Sequence, residues 1–304
     1  MHGSGEPLLG DVPYFVEKSR ENDFVIHMNS TGFNLTKKLS DLLLTTRLSI
    51  RFSIHAGRPE TYWRIMGGHD LNQVAEKIKY LTAKAADDGL RHDFWFTFIV
   101  MKENLGEIPD FLRLAHSCGI KSVRFTSLRP NRRILLGCKV PQRNIRFSYF
   151  DQFNSGVRIK FLSELPIYKK LAEELGVTIE AGSMEYDAAN VNPFRDVLGR
   201  ANRKFFGDLL PIPLKRSGGF CVVPWIGQLI VSQDGGVNMC CNTTNHLGNL
   251  SDSSLSELWN CDAMRRVRES FKRGEYPRVC GYCRGLGFDE YPKNSRIRGL
   301  GLKD

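Results

Sequence analysis

Apolar runs alternate with amphipathic stretches through roughly the first 180 residues of the chain. Between the runs, apolar positions recur at helical spacing, as Leu71, Val74, Ile78 and Leu81 do, and Gly119 is typical of a helix end. The runs themselves are typical of buried strands and cover residues 23–30, 48–56, 93–101 and 122–128. Strands separated by helices predict a parallel sheet, open or closed into a barrel, with its chemistry at the carboxyl ends of the strands.

The pattern changes after residue 182 and divides the chain into three parts. Residues 158–182 predict one more helix and strand, which closes a first domain at 1–182. Residues 183–219 lose the periodicity and contain Pro, Gly and Asn, which is typical of a connector. The rest, 220–304, carries six of the eight cysteines and predicts a separate small domain.

Composition limits the partners and the compartment. The 304 residues include 43 Lys and Arg against 33 Asp and Glu, a net charge of +10 that favours an acidic or phosphorylated partner. The densest basic stretch, 129–146, lacks the interleaved aromatics of a nucleic-acid platform and also fits a solvated loop. The longest apolar run, 94–101, is far shorter than the roughly 20 residues of a membrane span, and the first residues lack the basic start and apolar stretch typical of a signal peptide. We therefore predict a cytoplasmic protein with no membrane or nucleic-acid partner.

Four cysteines follow the spacing C-x18-C-x39-C-x2-C, from Cys221 through Cys240 and Cys280 to Cys283. Residues 221–241 predict a β-hairpin with an Asp-Gly-Gly turn, which brings the first two thiols to its open ends. Four thiolates suit either Zn²⁺ or a [4Fe–4S] cluster. One CxxC and one long hairpin, instead of two short knuckles, favour the iron–sulfur cluster. The remaining cysteines have no such spacing and are assigned to core packing: Cys118, Cys138, Cys241 and Cys261.

Longer motifs around these cysteines resemble a known family. C-x13-G-x4-C from Cys221 to Cys240, then HLGNLSDSSLSELWN and YPRVCGYC, resemble the SPASM/twitch domain of radical SAM enzymes, and GSGEPLL and SIHAGRPETYWRIMGG resemble segments of their barrel. The resemblance covers nearly the entire chain. It implies an α/β fold with a partial (β/α)6 barrel, plus a small hairpin-and-helix domain holding one auxiliary [4Fe–4S] cluster through Cys221, Cys240, Cys280 and Cys283.

The resemblance also implies where S-adenosyl-L-methionine (SAM) binds. In the family the GSGEP-like loop holds the amino group of SAM through its backbone, and residues at the ends of the next strands contact the ribose or carboxylate. An arginine fork suits a carboxylate. By motif match, the SAM-binding residues of this chain are Gly3, Gly5, Glu6, Ser30, Ser53 and Arg64.

Three further polar residues are candidates for this site. His55 stands where many family members have an aspartate, so a role copied from that aspartate does not transfer to it. Asn104 and Glu107 follow the strand at 93–101 and are typical of a helix cap, not of catalysis.

One departure from the family bears on activity. No three cysteines have the C-x3-C-x2-C spacing of the loop that carries the catalytic cluster in this superfamily. We therefore expect a truncated chain that starts at the end of the second barrel strand, without the first strand and the cluster loop. The complete enzyme is expected to cleave SAM to a 5′-deoxyadenosyl radical and to abstract hydrogen from a peptide, sugar or small metabolite, with a flavodoxin or ferredoxin as electron donor. The alternative is a non-catalytic, degenerate barrel that docks through its iron–sulfur or zinc domain.

Overall fold

The chain divides into two compact units, Met1–Val191 and Asn192–Asp304. In the first unit, the computed structural model describes residues 5–87, 89, 91–128, 138–140, 145–147, 152–182 and 184. In the second unit it describes residues 221, 223–226, 229–232, 234–240, 246–275, 277 and 280.

A five-stranded parallel sheet forms the centre of the first unit. Its strands are β1 (Ile26–Ser30), β2 (Leu48–Ser53), β3 (Asp93–Val100), β4 (Ser122–Ser127) and β7 (Thr178–Glu180). Within this sheet they lie side by side in sequence order, and every neighbouring pair is parallel. A sequential order winds in one direction, as in a β/α barrel, whereas a doubly wound sheet reverses its order at a switch point. The structure thus confirms the α/β fold. Strands β5 (Cys138–Val140) and β6 (Ile145–Phe147) form a separate antiparallel pair.

Helices connect the strands of this sheet. They are α1 (Val12–Asn22), α2 (Lys37–Leu43), α3 (Pro59–Ile65), α4 (Leu71–Asp87), α5 (Ile108–Ser117) and α6 (Ser155–Glu174), with short 3-10 turns at Pro7–Leu9 and Leu105–Glu107. The apolar residues that predicted α4 are all buried, and Gly119 follows α5 with a left-handed φ of 70°, so both helix predictions are confirmed. Within the described part of the chain, no helix combines the length and the apolar character needed to cross a bilayer.

Aromatic side chains fill the space between the sheet and its helices. Phe98 on β3 lies with its ring centroid 4.7 Å from that of Phe111 on α5, and 5.7 Å from that of Phe125 on β4. Phe125 in turn contacts Phe161 on α6 at 5.4 Å. These rings are fully buried, and offset or edge-to-face contacts at such distances add to the stabilisation from burial. The core therefore fixes β3 and β4 against α5 and α6.

The described residues of the second unit form a three-stranded antiparallel sheet and two helices. They are β8 (Ile230–Val231), β9 (Gly236–Asn238), β10 (His246–Asn249), α7 (Leu255–Trp259) and α8 (Asp262–Lys272). The predicted hairpin corresponds to β8 and β9, and Gly235 makes its turn with a left-handed φ of 79°. Its first strand is shorter than the sequence suggested: residues 223–226 form turns, because Pro224 lacks the N–H that a strand pairing uses. β10 is a third strand that the sequence did not predict.

Candidate functional site

The parallel strands of the first unit end at one edge of the sheet. Ser30 is the last residue of β1 and Ser53 is the last residue of β2. Because β1 and β2 are parallel and pair from Ile26↔Leu48 onward, both serines belong to the carboxyl edge where α/β proteins place their ligands. Of the glycines assigned to SAM binding, Gly5 precedes Glu6 in the described chain, whereas Gly3 lies outside the described residues.

Glu6 fastens its loop to the end of β1. Its Oε1 accepts a hydrogen bond from Ser30 Oγ at 2.6 Å, and its Oε2 accepts from Thr31 N at 2.8 Å and Thr31 Oγ1 at 2.7 Å. Leu8 N donates to Oε1 at a longer 3.3 Å. Hydrogen bonds to an ionised acceptor are the strong ones, so this carboxylate holds two predicted SAM residues, Glu6 and Ser30, in contact and leaves the Gly5 backbone beside them.

Arg64 lies on α3 and forms an ion pair with an acidic side chain of the same chain. Its guanidinium forms an ion pair with Glu103, with 2.8 Å between Nη2 and Oε1, and lies 3.5 Å from the hydroxyl oxygen of Thr61. Glu103 belongs to the loop after β3. The ion pair therefore joins the segment that follows β2 to the segment that follows β3. About half of the Arg64 side chain is exposed to solvent (47%). A carboxylate from solution can therefore reach Arg64 and replace Glu103 as its partner.

The carboxylate of Glu107 accepts hydrogen bonds from the loop between β2 and α3 and from α3 itself. One carboxylate oxygen accepts from the backbone N–H groups of Gly57 and Arg58, both at 3.1 Å, and the other accepts from Thr61 Oγ1 at 2.5 Å. A Cβ at Gly57 would lie 2.5 Å from the Glu107 carbonyl oxygen, so the close approach requires glycine. Glu107 occupies the N-terminal cap position of α5, as the sequence indicated, but its side chain makes no capping hydrogen bond to that helix. The carboxylate instead holds the loop that leads into α3.

Asn104 closes the same loop from the other side. Its Oδ1 accepts from Met101 N at 2.8 Å, and its Nδ2 donates to the carbonyl oxygens of His55 and Ile99 at 2.8 and 2.9 Å. The side chain is fully buried and uses both of its polar atoms within the protein. Asn104 precedes the 3-10 turn at Leu105–Glu107, but its side chain makes no capping hydrogen bond there; it instead ties the loops after β2 and β3 together.

His55 is held neutral at the end of β2. Its Nδ1 lies 3.1 Å from the Thr97 carbonyl oxygen and 3.3 Å from Ile99 N. Burial lowers the pKa of His55 to about 4, and the contact with the Thr97 carbonyl offsets part of that shift. At neutral pH the imidazole therefore carries no charge towards the carboxyl edge of the sheet.

We expect the free energy of unfolding to fall as the pH drops below about 6.5, because the unfolded chain then protonates His55 while the folded chain resists it until pH about 4. The full loss from this group is about 3 kcal/mol. His55→Gln removes the titration and flattens that part of the profile. Urea unfolding between pH 4.5 and 7.5 measures it, with exposed His116→Gln as control. Equal slopes for wild type and His55→Gln would contradict the expectation.

Two side chains near this edge carried no functional signal in the sequence. Glu103 is one acid in a polar loop, and nothing in its neighbours predicts the pairing with Arg64. Tyr62 lies among the apolar positions of α3, where an aromatic residue is typical of ordinary core packing. The ion pair of Glu103 with Arg64 joins segments far apart along the chain, which no local pattern encodes.

The described cysteines of the second unit lie around one apolar cluster. Its buried members are Met239, Met264, Val267, Phe271 and Cys280. Cys221 and Cys240 pack against this cluster, so three of the four cysteines predicted from spacing contact the same apolar cluster. Cys261, which was assigned to packing, also contacts the cluster.

Helix α8 fastens the Cys221 segment in place. Arg268 donates from Nε to the Pro224 carbonyl oxygen at 2.8 Å and lies over the Trp259 ring at 4.5 Å. One turn further along α8, Phe271 contacts Trp225 with ring centroids 5.9 Å apart. The residues directly after Cys221 are therefore tied to the helix whose apolar face lines the cysteine cluster.

The HLGN segment fastens the hairpin turn. Asn249 Nδ2 donates to the Asp234 carbonyl oxygen at 2.8 Å, and Leu250 N donates to the Gly235 carbonyl oxygen at 3.0 Å. The following Ser254 and Glu257 form a capping box at the start of α7. This stretch of the sequence thus positions the turn between Cys221 and Cys240.

The thiols have the chemistry of ligands for a soft metal centre. Burial raises the pKa of Cys221, the nearby Cys240 thiolate adds to the rise, and a hydrogen bond from the Val223 backbone opposes it. Such thiols ionise when a metal takes the place of the proton. Among the described residues, no three His, Cys, Asp or Glu side chains are close enough together to hold a metal ion. The fourth predicted ligand, Cys283, lies outside the described residues, as does Cys241.

Known proteins resemble this chain both in a family profile and in fold. The profile of the SPASM iron–sulfur cluster-binding domain matches residues 221–284. No curated protein matches the chain in sequence. Among solved structures, Streptococcus suis SuiB bound to S-adenosylmethionine is similar over 88% of this chain and 55% of its own, with 10% identity and a TM-score of 0.56. Native anSMEcpe with bound AdoMet and a Kp18Cys peptide is similar over 94% of this chain and 80% of its own, with 16% identity and a TM-score of 0.56.

SuiB has also been solved with its precursor peptide SuiA, and that structure matches with 11% identity and a TM-score of 0.54 over 88% of this chain. The chain spans about half the length of SuiB. At these identities the similarity establishes the fold, while the profile match identifies the domain that carries the cysteines. The protein therefore joins an α/β unit with the fold of radical SAM enzymes to a C-terminal iron–sulfur cluster-binding domain of the SPASM family.

Proposed function

We propose that this protein binds SAM at the carboxyl edge of its parallel sheet and one [4Fe–4S] cluster in its SPASM domain, as part of a radical SAM enzyme. The observation that carries the proposal is the packing of Cys221, Cys240 and Cys280 in one apolar side-chain cluster. All three lie within the segment that matches the SPASM profile. Four thiolates and an apolar surround suit an iron–sulfur centre, and Cys283 supplies the fourth ligand.

The SAM site uses the loop that Glu6 anchors. Gly3 and Gly5 present backbone groups to the amino group of SAM, since glycine permits a close approach. Ser30 and Ser53, at the ends of β1 and β2, contact its polar groups. Arg64 pairs with Glu103 in the structure, and the carboxylate of SAM takes the place of Glu103 on its guanidinium. A guanidinium matches a carboxylate in two parallel hydrogen bonds.

SAM cleavage requires one electron from an iron–sulfur cluster bound to a C-x3-C-x2-C loop, and no three cysteines of these 304 residues have that spacing. We therefore assign SAM binding to this chain by itself, and formation of the 5′-deoxyadenosyl radical only to a form that also carries such a loop. The auxiliary [4Fe–4S] cluster supplies one-electron chemistry or positions the substrate.

A peptide is the substrate class we favour. SuiB and anSMEcpe, which share the fold, were solved with the peptides SuiA and Kp18Cys. The net charge of +10 favours an acidic or phosphorylated substrate. The same charge favours an acidic electron donor of the flavodoxin or ferredoxin type; helix α8 alone carries Arg265, Arg266, Arg268 and Lys272.

The second candidate is a non-catalytic protein that uses its metal domain for docking. It is favoured by the missing C-x3-C-x2-C spacing, and in that case the thiols bind iron–sulfur or Zn²⁺ without any SAM chemistry. The Glu6 anchor argues against it, because a docking module has no need of an ordered loop at the carboxyl edge of the sheet.

Calorimetric titration with SAM, followed by incubation with dithionite and chromatography of the products, tests the proposal. We expect the reconstituted 304-residue protein to bind SAM and to release no 5′-deoxyadenosine above a protein-free control. Release of 5′-deoxyadenosine by these residues alone would contradict our assignment of cleavage to a further cluster. A protein with a complete cluster that does not bind SAM would instead support the docking module.

A further inference from the structure

Tyr62 is buried in an unusual way. It lies in α3, its side chain is fully buried, and its hydroxyl has no hydrogen-bond partner among the residues that the structure describes. Buried tyrosine hydroxyls usually find a partner. Tyr168 on α6 shows the ordinary case, because it is also buried and its hydroxyl donates to Glu164.

The unmade hydrogen bond has a cost that a phenylalanine would avoid. A buried donor without an acceptor loses its water and gains nothing in return. Phenylalanine would fill the same space with the same ring, so packing alone does not explain the hydroxyl. A buried unsatisfied group in a native structure calls for an explanation, and a hydrogen bond made only in a second state of the protein, such as one with a bound ligand, supplies one.

Burial raises the pKa of the Tyr62 hydroxyl, and the charge of the Glu6 carboxylate adds to the rise. Glu6 thus lies within electrostatic range of this hydroxyl without accepting a hydrogen bond from it. Two carboxylate oxygens offer about four lone-pair positions, and Glu6 already accepts from Leu8 N, Ser30 Oγ, Thr31 N and Thr31 Oγ1. Tyr62 therefore has no vacant acceptor position while all of these contacts are made. The contact with Leu8 N is the longest, at 3.3 Å, and is the one most readily exchanged.

We propose that Tyr62 is a positioning residue of the SAM site: its hydroxyl donates to the Glu6 carboxylate in the SAM-bound state, in place of Leu8 N, and holds the Gly5–Glu6 segment against the ligand. The inference rests on the proposed SAM site. SAM makes its contacts through the backbone of this segment, so a carboxylate that is held from α3 as well as from β1 keeps those backbone groups in a single orientation.

Tyr62→Phe tests this assignment through two measurements that move in different directions. We expect the midpoint of urea unfolding without SAM to stay the same or to rise, because the substitution removes a donor without a partner. We expect the SAM dissociation constant from calorimetry to rise about tenfold, since a hydrogen bond to a charged group is lost only in the bound state. Tyr168→Phe is the matched control: it should lower the midpoint and leave the SAM dissociation constant unchanged.

The outcomes separate the two proposals. Unchanged SAM affinity in Tyr62→Phe, with SAM bound normally by the wild type, would overturn the role of Tyr62 and leave the SAM site in place. A lower unfolding midpoint in Tyr62→Phe without SAM would also overturn it, because the hydroxyl would then be used in the free protein. Absence of SAM binding by the wild type would overturn both proposals together.

Discussion

Cys280→Ala is expected to reduce the iron content of the anaerobically reconstituted protein from about four atoms per chain to nearly none. Cys280 is buried within the apolar cluster against which Cys221 and Cys240 pack, so alanine removes one of the four proposed thiolates and leaves an apolar methyl group in its place. Iron analysis and the visible absorption of the cluster measure the loss. Cys283→Ala should have the same effect, because spacing makes it the fourth ligand.

Two other cysteines provide controls for this experiment. Cys118 is buried in the first unit at the end of α5, and Cys118→Ala should retain the iron. Cys261 packs against the same cluster as the proposed ligands but lacks their spacing, and Cys261→Ala should also retain it. Equal loss in all of these variants would refute the ligand assignment. A colourless protein that contains zinc would show that the site holds the other metal that four thiolates suit.

The sheet and its helices could be predicted from the sequence because their signals are local. Buried parallel strands are continuous apolar runs, and α4 shows its buried side as Leu71, Val74, Ile78 and Leu81 at helical spacing. The hairpin turn is equally local, since Gly235 is needed for a left-handed φ of 79°. The strand before it was predicted too long because a run of apolar residues hides the effect of Pro224.

The side-chain contacts of the candidate site could not be predicted in this way. The sequence marked Arg64 as a carboxylate binder, but Glu103, its partner in the structure, lies in another connection of the fold. Glu107 was identified as a helix cap, without any indication that its carboxylate binds the Thr61 hydroxyl 46 residues away along the chain. Such contacts follow from the order of the strands, which places the loops after β2 and β3 next to each other.

Glu6→Ala is expected to abolish measurable SAM binding, with a loss of affinity of about 100-fold or more. The carboxylate accepts hydrogen bonds from Leu8 N, Ser30 Oγ, Thr31 N and Thr31 Oγ1, and losing an acceptor shared by several donors removes about 3 kcal/mol from the anchoring of the loop. Without the anchor, the Gly5 backbone has many orientations, and binding must first select one of them. Calorimetry with SAM gives the loss of affinity directly.

Hydrogen exchange without SAM distinguishes a lost anchor from a lost direct contact. In Glu6→Ala the amides of Leu8 and Thr31 should exchange faster, because both donate to this carboxylate in the wild type. Glu21→Gln removes the same charge from an exposed position on α1, where Glu21 pairs with Lys18, and should change neither the exchange nor the affinity. If Glu6→Ala binds SAM as tightly as the wild type, then the loop is not part of the SAM site. If affinity falls while the exchange of both amides is unchanged, then Glu6 contacts SAM itself instead of positioning the loop through Ser30 and Thr31.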